Sequence, residues 1–138
     1  DYVIARVCWM FGGGPKKDQK FVAKIINQLD NKEIKVVTDQ IGSPTFGKDL
    51  VSGIKKLLKD DARGVYNLAG KGVCSRYEFA EEIVKNLGKK TKVLPVKMSD
   101  FKMDAFRTYN EGMISTISTS RPWQRALKEY LETEWKNK

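Results

Sequence analysis

The residues best equipped to hold a ligand run Asp39-Gln40-Ile41-Gly42-Ser43-Pro44-Thr45, followed by Phe46-Gly47-Lys48-Asp49-Leu50. Asp39 brings a carboxylate, Gln40 an amide able to read the edge of a base or sugar, and Ser43 and Thr45 bring hydroxyls. Pro44 stiffens the segment, which lowers the entropy lost when a ligand binds. Two readings stand side by side. The stretch is a ligand-facing loop on an α/β scaffold, or it is a capped turn. In the second reading Asp39 and Thr45 satisfy backbone groups, and Ser43 or Thr45 caps a helix starting near Gly47.

Other candidates are weaker alone. Gly12-Gly13-Gly14 follows a strand-like run, where backbone N–H groups can cradle phosphate. The spacing is neither GxGxxG nor a P-loop, so a flexible turn beside a pocket is the better reading. Trp9 stands at the end of that strand, where α/β sheets bind ligands, or else it is a core aromatic. Arg107 has the fork that suits phosphate, or it is a solvated surface residue. Asp100, Asp104 and Glu111 cluster loosely without forming an acid/base pair. With no His in the chain, the repertoire for proton transfer is thin.

Cys8 and Cys74 are the only cysteines, which nearly excludes a metal site of the usual nitrogen and sulfur ligands. They are expected to be free thiols in a reducing cytoplasm. At 138 residues, 41% hydrophobic and 31% charged, the chain has the balance of a folded domain with its own core. The net charge of +9 comes from lysines spread over many segments among Glu and Asp. That is a basic surface suited to an anionic small substrate, not a nucleic-acid motif. No apolar run nears the roughly 18 residues of a membrane span. The opening Asp1-Tyr2-Val3-Ile4-Ala5-Arg6 lacks the features of a signal peptide and reads as a strand entered in mid-course. A piece of a longer protein is expected.

The elements that must position these residues alternate between strand and helix, which argues for an α/β fold. Val3 to Met10 reads as one buried parallel strand. Asp18 is suited to cap a helix whose apolar face is Phe21, Val22, Ile25, Ile26 and Leu29. Ile34 to Thr38 is a strand, and Leu50, Val51, Ile54, Leu57 and Leu58 mark a second helix. Val65 to Ala69 is a strand. Ser75 and Glu78 form a capping box for a third helix, which Gly88 ends. Pro95 makes Val93 to Val96 an edge strand. Ile114 to Ser118 is a brief extended piece, and Pro122 opens a last helix bearing Ala126, Leu127, Tyr130, Leu131 and Trp135.

In order along the chain, several pieces resemble the C-terminal half of the dTDP-4-dehydrorhamnose reductases, which are extended short-chain dehydrogenase/reductases. Val3 to Gly12 is similar to the family's ivRTSWvyG, and Gln19-Lys20-Phe21-Val22 to nNFv. Val36 to Thr45 resembles vvxDQxGxPT, and Gly64 to Gly70 resembles GiYHlaG. Tyr77-Glu78-Phe79-Ala80 is similar to wyEFA, and Pro122-Trp123 with Ala126-Leu127 to lPdWxxaL. The resemblance implies the substrate-binding portion of a Rossmann-type enzyme without its N-terminal dinucleotide-binding half. Residues 1–30 would be the last part of the parent Rossmann region and residues 31–138 a small α/β substrate domain. The parent would reduce the 4-keto group of a dTDP-linked deoxysugar with NADPH or NADH, in dTDP-rhamnose biosynthesis. A related epimerase or dehydratase, or a non-catalytic binding protein of the same fold, are the alternatives.

By position the resemblance makes Trp9, Phe21, Gln40 and Arg107 substrate-binding residues, with Arg107 near the diphosphate. It leaves room for a Mg2+ ion and for a homodimer. The expected partners are the nucleotide-sugar substrate and the absent Rossmann half, with neither nucleic acid nor membrane. Some positions depart from the pattern: Val7-Cys8 replaces Thr-Ser, Lys20 replaces Asn, and Thr108 replaces a Pro. The glycine-rich cofactor motif and the Tyr-x-x-x-Lys proton-transfer pair are absent from these residues, so no catalytic residue is expected in this chain.

Overall fold

The computed structural model describes residues 2–102, 105, 107–117 and 120–136. The first strand of the sequence reading divides into β1, Val3–Arg6, and β2, Met10–Phe11. The break is at Trp9, whose φ of 35° is left-handed and costly for a bulky residue. The turn sends the two pieces to different partners. β1 pairs in parallel with Gly64–Asn67, while β2 pairs in parallel with Thr45–Phe46. Nor is β1 covered on both faces, since Ile4 and its register partner Val65 are 49% and 45% exposed.

After β2 the glycine cluster leads to α1, Gly14–Lys17, and then α2, Phe21–Ile26. β3 is Glu33–Val37. Two short strands follow, β4, Ile41–Gly42, and β5, Thr45–Phe46, before helix α3, Gly47–Lys59. β6 is Gly64–Asn67, β7 is Cys74–Ser75, and α4 is Arg76–Asn86. β8, Lys92–Val96, runs parallel to β3 with Pro95 opposite Val36. β9, Asn110–Glu111, and α5, Trp123–Glu134, complete the order. β4 is the centre of a small sheet, antiparallel to β7 and parallel to β9.

The capping box forms as read. Ser75 Oγ accepts from Glu78 N at 3.0 Å, and Glu78 Oε2 accepts from Ser75 N at 2.6 Å. Gly88 lies just beyond α4 with φ 62°, a left-handed conformation that ends a helix cheaply only in glycine. Asp18 acts differently from its expected role. Lys20, not Asp18, is the N-cap of α2. Asp18 is buried, accepting from Tyr130 Oη at 2.8 Å through Oδ2 and from Lys20 N at 2.9 Å through Oδ1. Ile114–Ile117 forms no strand; its backbone bonds the end of β6, Thr116 N donating to Asn67 O at 3.0 Å. Ser118 lies outside the described residues.

Helices α2, α4 and α5 and strands β2, β3 and β5 enclose one core. Its centre is aromatic. Phe11 stacks on Phe46 with centroids 5.4 Å apart, and both lean on Tyr130. Trp123 meets Phe79 edge-on, and Phe79 stacks on Phe21 at 5.6 Å. That chain of rings leads out of the core to a cleft beside β2, α2 and β3.

Candidate functional site

A cleft of about 650 Å³ opens where α2, β3 and the start of α4 converge. Aromatic and aliphatic side chains form its floor: Phe11, Ile25, Val36 and Phe79 are buried there, with Phe21 half-buried on the wall. The charged residues lining it are Lys20, Lys24, Lys35 and Arg76, with no carboxylate among the described lining residues. Gln19, Gln28 and Gln40 add amides. An apolar floor under a rim whose charged groups are all cationic suits a ligand with a flat or apolar body and a negative charge.

Trp9, Phe21 and Gln40 all line this cleft. The left-handed turn at Trp9 swings its ring against the loop, where a Cβ built on Gly42 would fall 2.2 Å from Trp9 Cε2. Trp9 Nε1 donates to Glu111 Oε2 at 2.8 Å. The Arg76 guanidinium carbon sits 3.5 Å from the centroid of the Trp9 ring and 4.8 Å from that of Phe21. Arg76 Nε donates to Gln40 Oε1 at 3.2 Å, and Arg76 N to Gln40 O at 3.1 Å. The β4–β7 ladder brings these two chains side by side, because Ile41 pairs with Ser75. Burial lowers the Arg76 pKa to about 10, with Glu111 pulling it back up and Arg107 pushing it down. Arg107 itself is exposed and is not among the residues lining the cleft.

The rest of the loop faces inward. Ser43 is 0% and Thr45 3% exposed. Ser43 Oγ donates to Met113 O at 3.1 Å and accepts from Met113 N at 3.0 Å. Thr45 Oγ1 donates to Ser43 O at 3.1 Å and accepts from Gly70 N at 3.2 Å. Neither caps α3, whose N-cap is Phe46 with no side-chain bond. Asp39 Oδ1 accepts from Met98 N at 2.9 Å. Cys8 donates from Sγ to Glu111 O at 2.9 Å and accepts from Ser43 N at 3.4 Å. Cys8 and Cys74 are buried free thiols, and burial pushes Cys74 up to about 12.

The glycine turn is poorly fitted to a dinucleotide phosphate. Gly14 N donates to Tyr130 Oη at 3.2 Å, and the buried Asp18 carboxylate lies directly behind that hydroxyl. Among the described residues no three His, Cys, Asp or Glu side chains come together to share a metal ion. Of the loose acidic cluster, Asp104 lies outside the described residues, Asp100 accepts from Lys97 N, and Glu111 holds Trp9. Among the described residues no helix is long and apolar enough to cross a membrane.

Sequence reasoning missed Arg76 and the lysines of the rim. A signal for Arg76 existed: it is a cation in the first helical turn after the Ser75 cap, where the helix dipole favours acids. Lys20, Lys24 and Lys35 carry no such mark, because only the packing of α2 and β3 against α4 puts them around one opening.

Residues 1–135 match the family described as RmlD substrate binding domain. The chain is 34% identical over 138 residues to the spore coat polysaccharide biosynthesis protein SpsK of Bacillus subtilis, covering 96% of this chain and 47% of that protein. Among solved structures, dTDP-4-dehydrorhamnose reductase from Yersinia enterocolitica superposes with TM-score 0.88 at 35% identity, over 95% of this chain and 49% of that one. The Bacillus anthracis dTDP-4-dehydrorhamnose reductase in complex with NADP gives TM-score 0.88 at 31% identity, over 95% and 48%. The chain thus spans about half the length of the curated relatives it matches. A match across nearly every residue, with a fold that superposes as closely, makes this chain a member of the RmlD substrate binding domain family, the C-terminal substrate-binding portion of an extended short-chain dehydrogenase/reductase fold.

Proposed function

We propose that this chain is the substrate-holding portion of an NAD(P)H-dependent reductase acting on the 4-keto group of a dTDP-linked deoxysugar. The observation that carries this reading is the cleft, where Lys20, Lys24, Lys35 and Arg76 surround an aromatic floor with no carboxylate among them. A nucleoside diphosphate sugar has the matching form, a flat base and a ring joined by two negative phosphates. Relatives named dTDP-4-dehydrorhamnose reductase, and one from Streptomyces niveus named dTDP-4-keto-6-deoxy-D-glucose reductase, support the same class.

In this reading Phe21 supplies a ring face for stacking. Gln40 offers its Nε2, which has no partner among the described residues, to a base or sugar oxygen. Trp9 forms the wall that carries Arg76, and Arg107 approaches the ligand from outside the cleft. The reduced nicotinamide supplies the hydride in the whole protein and is held by residues outside this chain. The residues here bind and orient the sugar and exclude water from it. The whole protein works in the cytoplasm, where Cys8 and Cys74 stay reduced.

The test is to incubate the full-length protein with NADPH and a dTDP-4-keto-6-deoxysugar and to identify the product. Loss of absorbance at the nicotinamide band, together with a dTDP-6-deoxysugar bearing a new 4-hydroxyl, is expected. Rearranged or dehydrated sugar without NADPH consumption would favour an epimerase or dehydratase, and no binding at all would leave only a non-catalytic role.

A further inference from the structure

Arg76 is the first residue of α4 and the only arginine among the described residues lining the cleft. Its position is fixed from three sides. Its backbone N and its Nε both bond Gln40, and its guanidinium lies over Trp9 and beside Phe21. These contacts use Nε and the π-faces of the group. Nη1 and Nη2 make no hydrogen bond or ion pair among the described residues. The carboxylate acting most strongly on it, Glu111, is already engaged, Oε2 by Trp9 Nε1 and Oε1 by Thr108 Oγ1.

This is a costly place for a cation. A helix's first turn favours negative charge, and burial disfavours the protonated form, lowering its pKa to about 10. Arg107 adds like charge nearby. An anion in the cleft would relieve all of these at once. A stacked, planar guanidinium with a free fork also has the geometry for a bidentate grip on paired oxygens, which lysine lacks.

We propose that Arg76, rather than Arg107, is the specificity-determining residue that grips a phosphoryl group of the ligand, its Nη1/Nη2 fork presented by the Trp9 and Phe21 rings and by Gln40. The inference rests on the reading that this cleft takes a nucleoside diphosphate, and it names the group that reads the phosphates. It also gives Trp9 a different task. Arg76 covers the Trp9 ring at 3.5 Å and Gly42 lies against the same ring, so Trp9 is a positioning residue for the arginine and not a stacking platform for the base.

The test is calorimetric titration of the full-length protein with dTDP and, separately, with thymidine, which keeps the base and lacks the phosphates. Wild type is compared with Arg76→Gln, Arg76→Lys, Arg107→Gln and Phe21→Ala. Arg76→Gln is expected to weaken dTDP at least twentyfold and Arg76→Lys at least fivefold, with thymidine within twofold in both. The dependence of dTDP affinity on salt should be shallower in Arg76→Gln. Arg107→Gln should cost dTDP less than threefold. If Arg76→Gln fails to fold, Arg76→Lys keeps the charge, loses the fork and carries the same comparison. Equal weakening of dTDP and thymidine would mean that Arg76 only props the cleft open, which overturns the proposal. Unchanged dTDP binding in both Arg76 variants, with Phe21→Ala still weakened, overturns it too and leaves the cleft as the site. If Phe21→Ala also binds normally, it is the cleft reading itself that fails.

Discussion

Residues 39–41 and 42–46 belong to one continuous segment, yet their side chains meet different surroundings. Gln40 is half-buried on the cleft wall, with its Oε1 on Arg76 and its Nε2 open. Ser43 and Thr45 are buried and spend their hydroxyls on Met113, on Ser43 O and on Gly70. Gly42 lies between the two, its missing Cβ leaving room for the Trp9 ring. The difference teaches how a loop can be both stiff and available. The inward half is held as firmly as core, and that anchoring fixes where the outward half presents its amide.

The sharpest way to break the inward half is at its closest backbone approach. A Cβ on Gly70 would stand 2.1 Å from Pro44 O, a backbone atom with nowhere to go. Gly70→Ala should therefore cost about 3 kcal/mol in urea unfolding of the full-length protein, the scale of an overpacked core. Gly42→Ala comes next, since its Cβ collides with a side chain that can move. About 2 kcal/mol is expected, together with weaker dTDP binding because Trp9 and the arginine it carries are displaced. Thr45→Val keeps the shape and removes two hydrogen bonds at a buried site. A loss of about 1–2 kcal/mol follows, with dTDP affinity unchanged.

A smaller effect separates the buried strands behind the loop from solvent. Cys74 in β7 keeps its proton up to about pH 12 in the fold, whereas an unfolded thiol loses its proton near pH 8.5. Between those values the unfolded state binds fewer protons than the native state, so stability falls as pH rises through that window. Cys74→Ala should flatten the decline. A wild-type stability that stayed level from pH 9 to 11 would contradict the burial of this thiol.

The signals legible in the sequence were those written locally. The Ser75–Glu78 box and the left-handed Gly88 both act within a few residues of themselves, and both formed as read. The tertiary choices were not legible. Nothing in Val3 to Met10 says that the chain will turn at Trp9 and give Phe11 to β5 instead of continuing beside β6. Asp18 looked like a cap because caps and buried acceptors use the same side chain; its partner Tyr130 comes from α5. Ser43 and Thr45 misled as caps for the same reason, although Asp39 and Thr45 do satisfy backbone groups as the second reading has it. At the candidate site, Trp9 and Gln40 were singled out by their own chemistry as well as by a family pattern, and Phe21 by the pattern alone; all three line one cleft, whereas Arg107 does not. Arg76 was hidden because its meaning depends on the β4–β7 ladder that sets it against Gln40.

The most direct test of the two-sided loop is one pair of titrations, dTDP into full-length Gln40→Ala and into Thr45→Val, with thermal unfolding of both. Losing a hydrogen bond to the ligand is worth about 1 kcal/mol, or roughly fivefold in affinity. Gln40→Ala is predicted to bind at least about fivefold more weakly while melting closer to wild type than Thr45→Val does, whereas Thr45→Val melts lower and binds as wild type does. Undiminished binding by Gln40→Ala, with the loss appearing in Thr45→Val instead, would contradict the account.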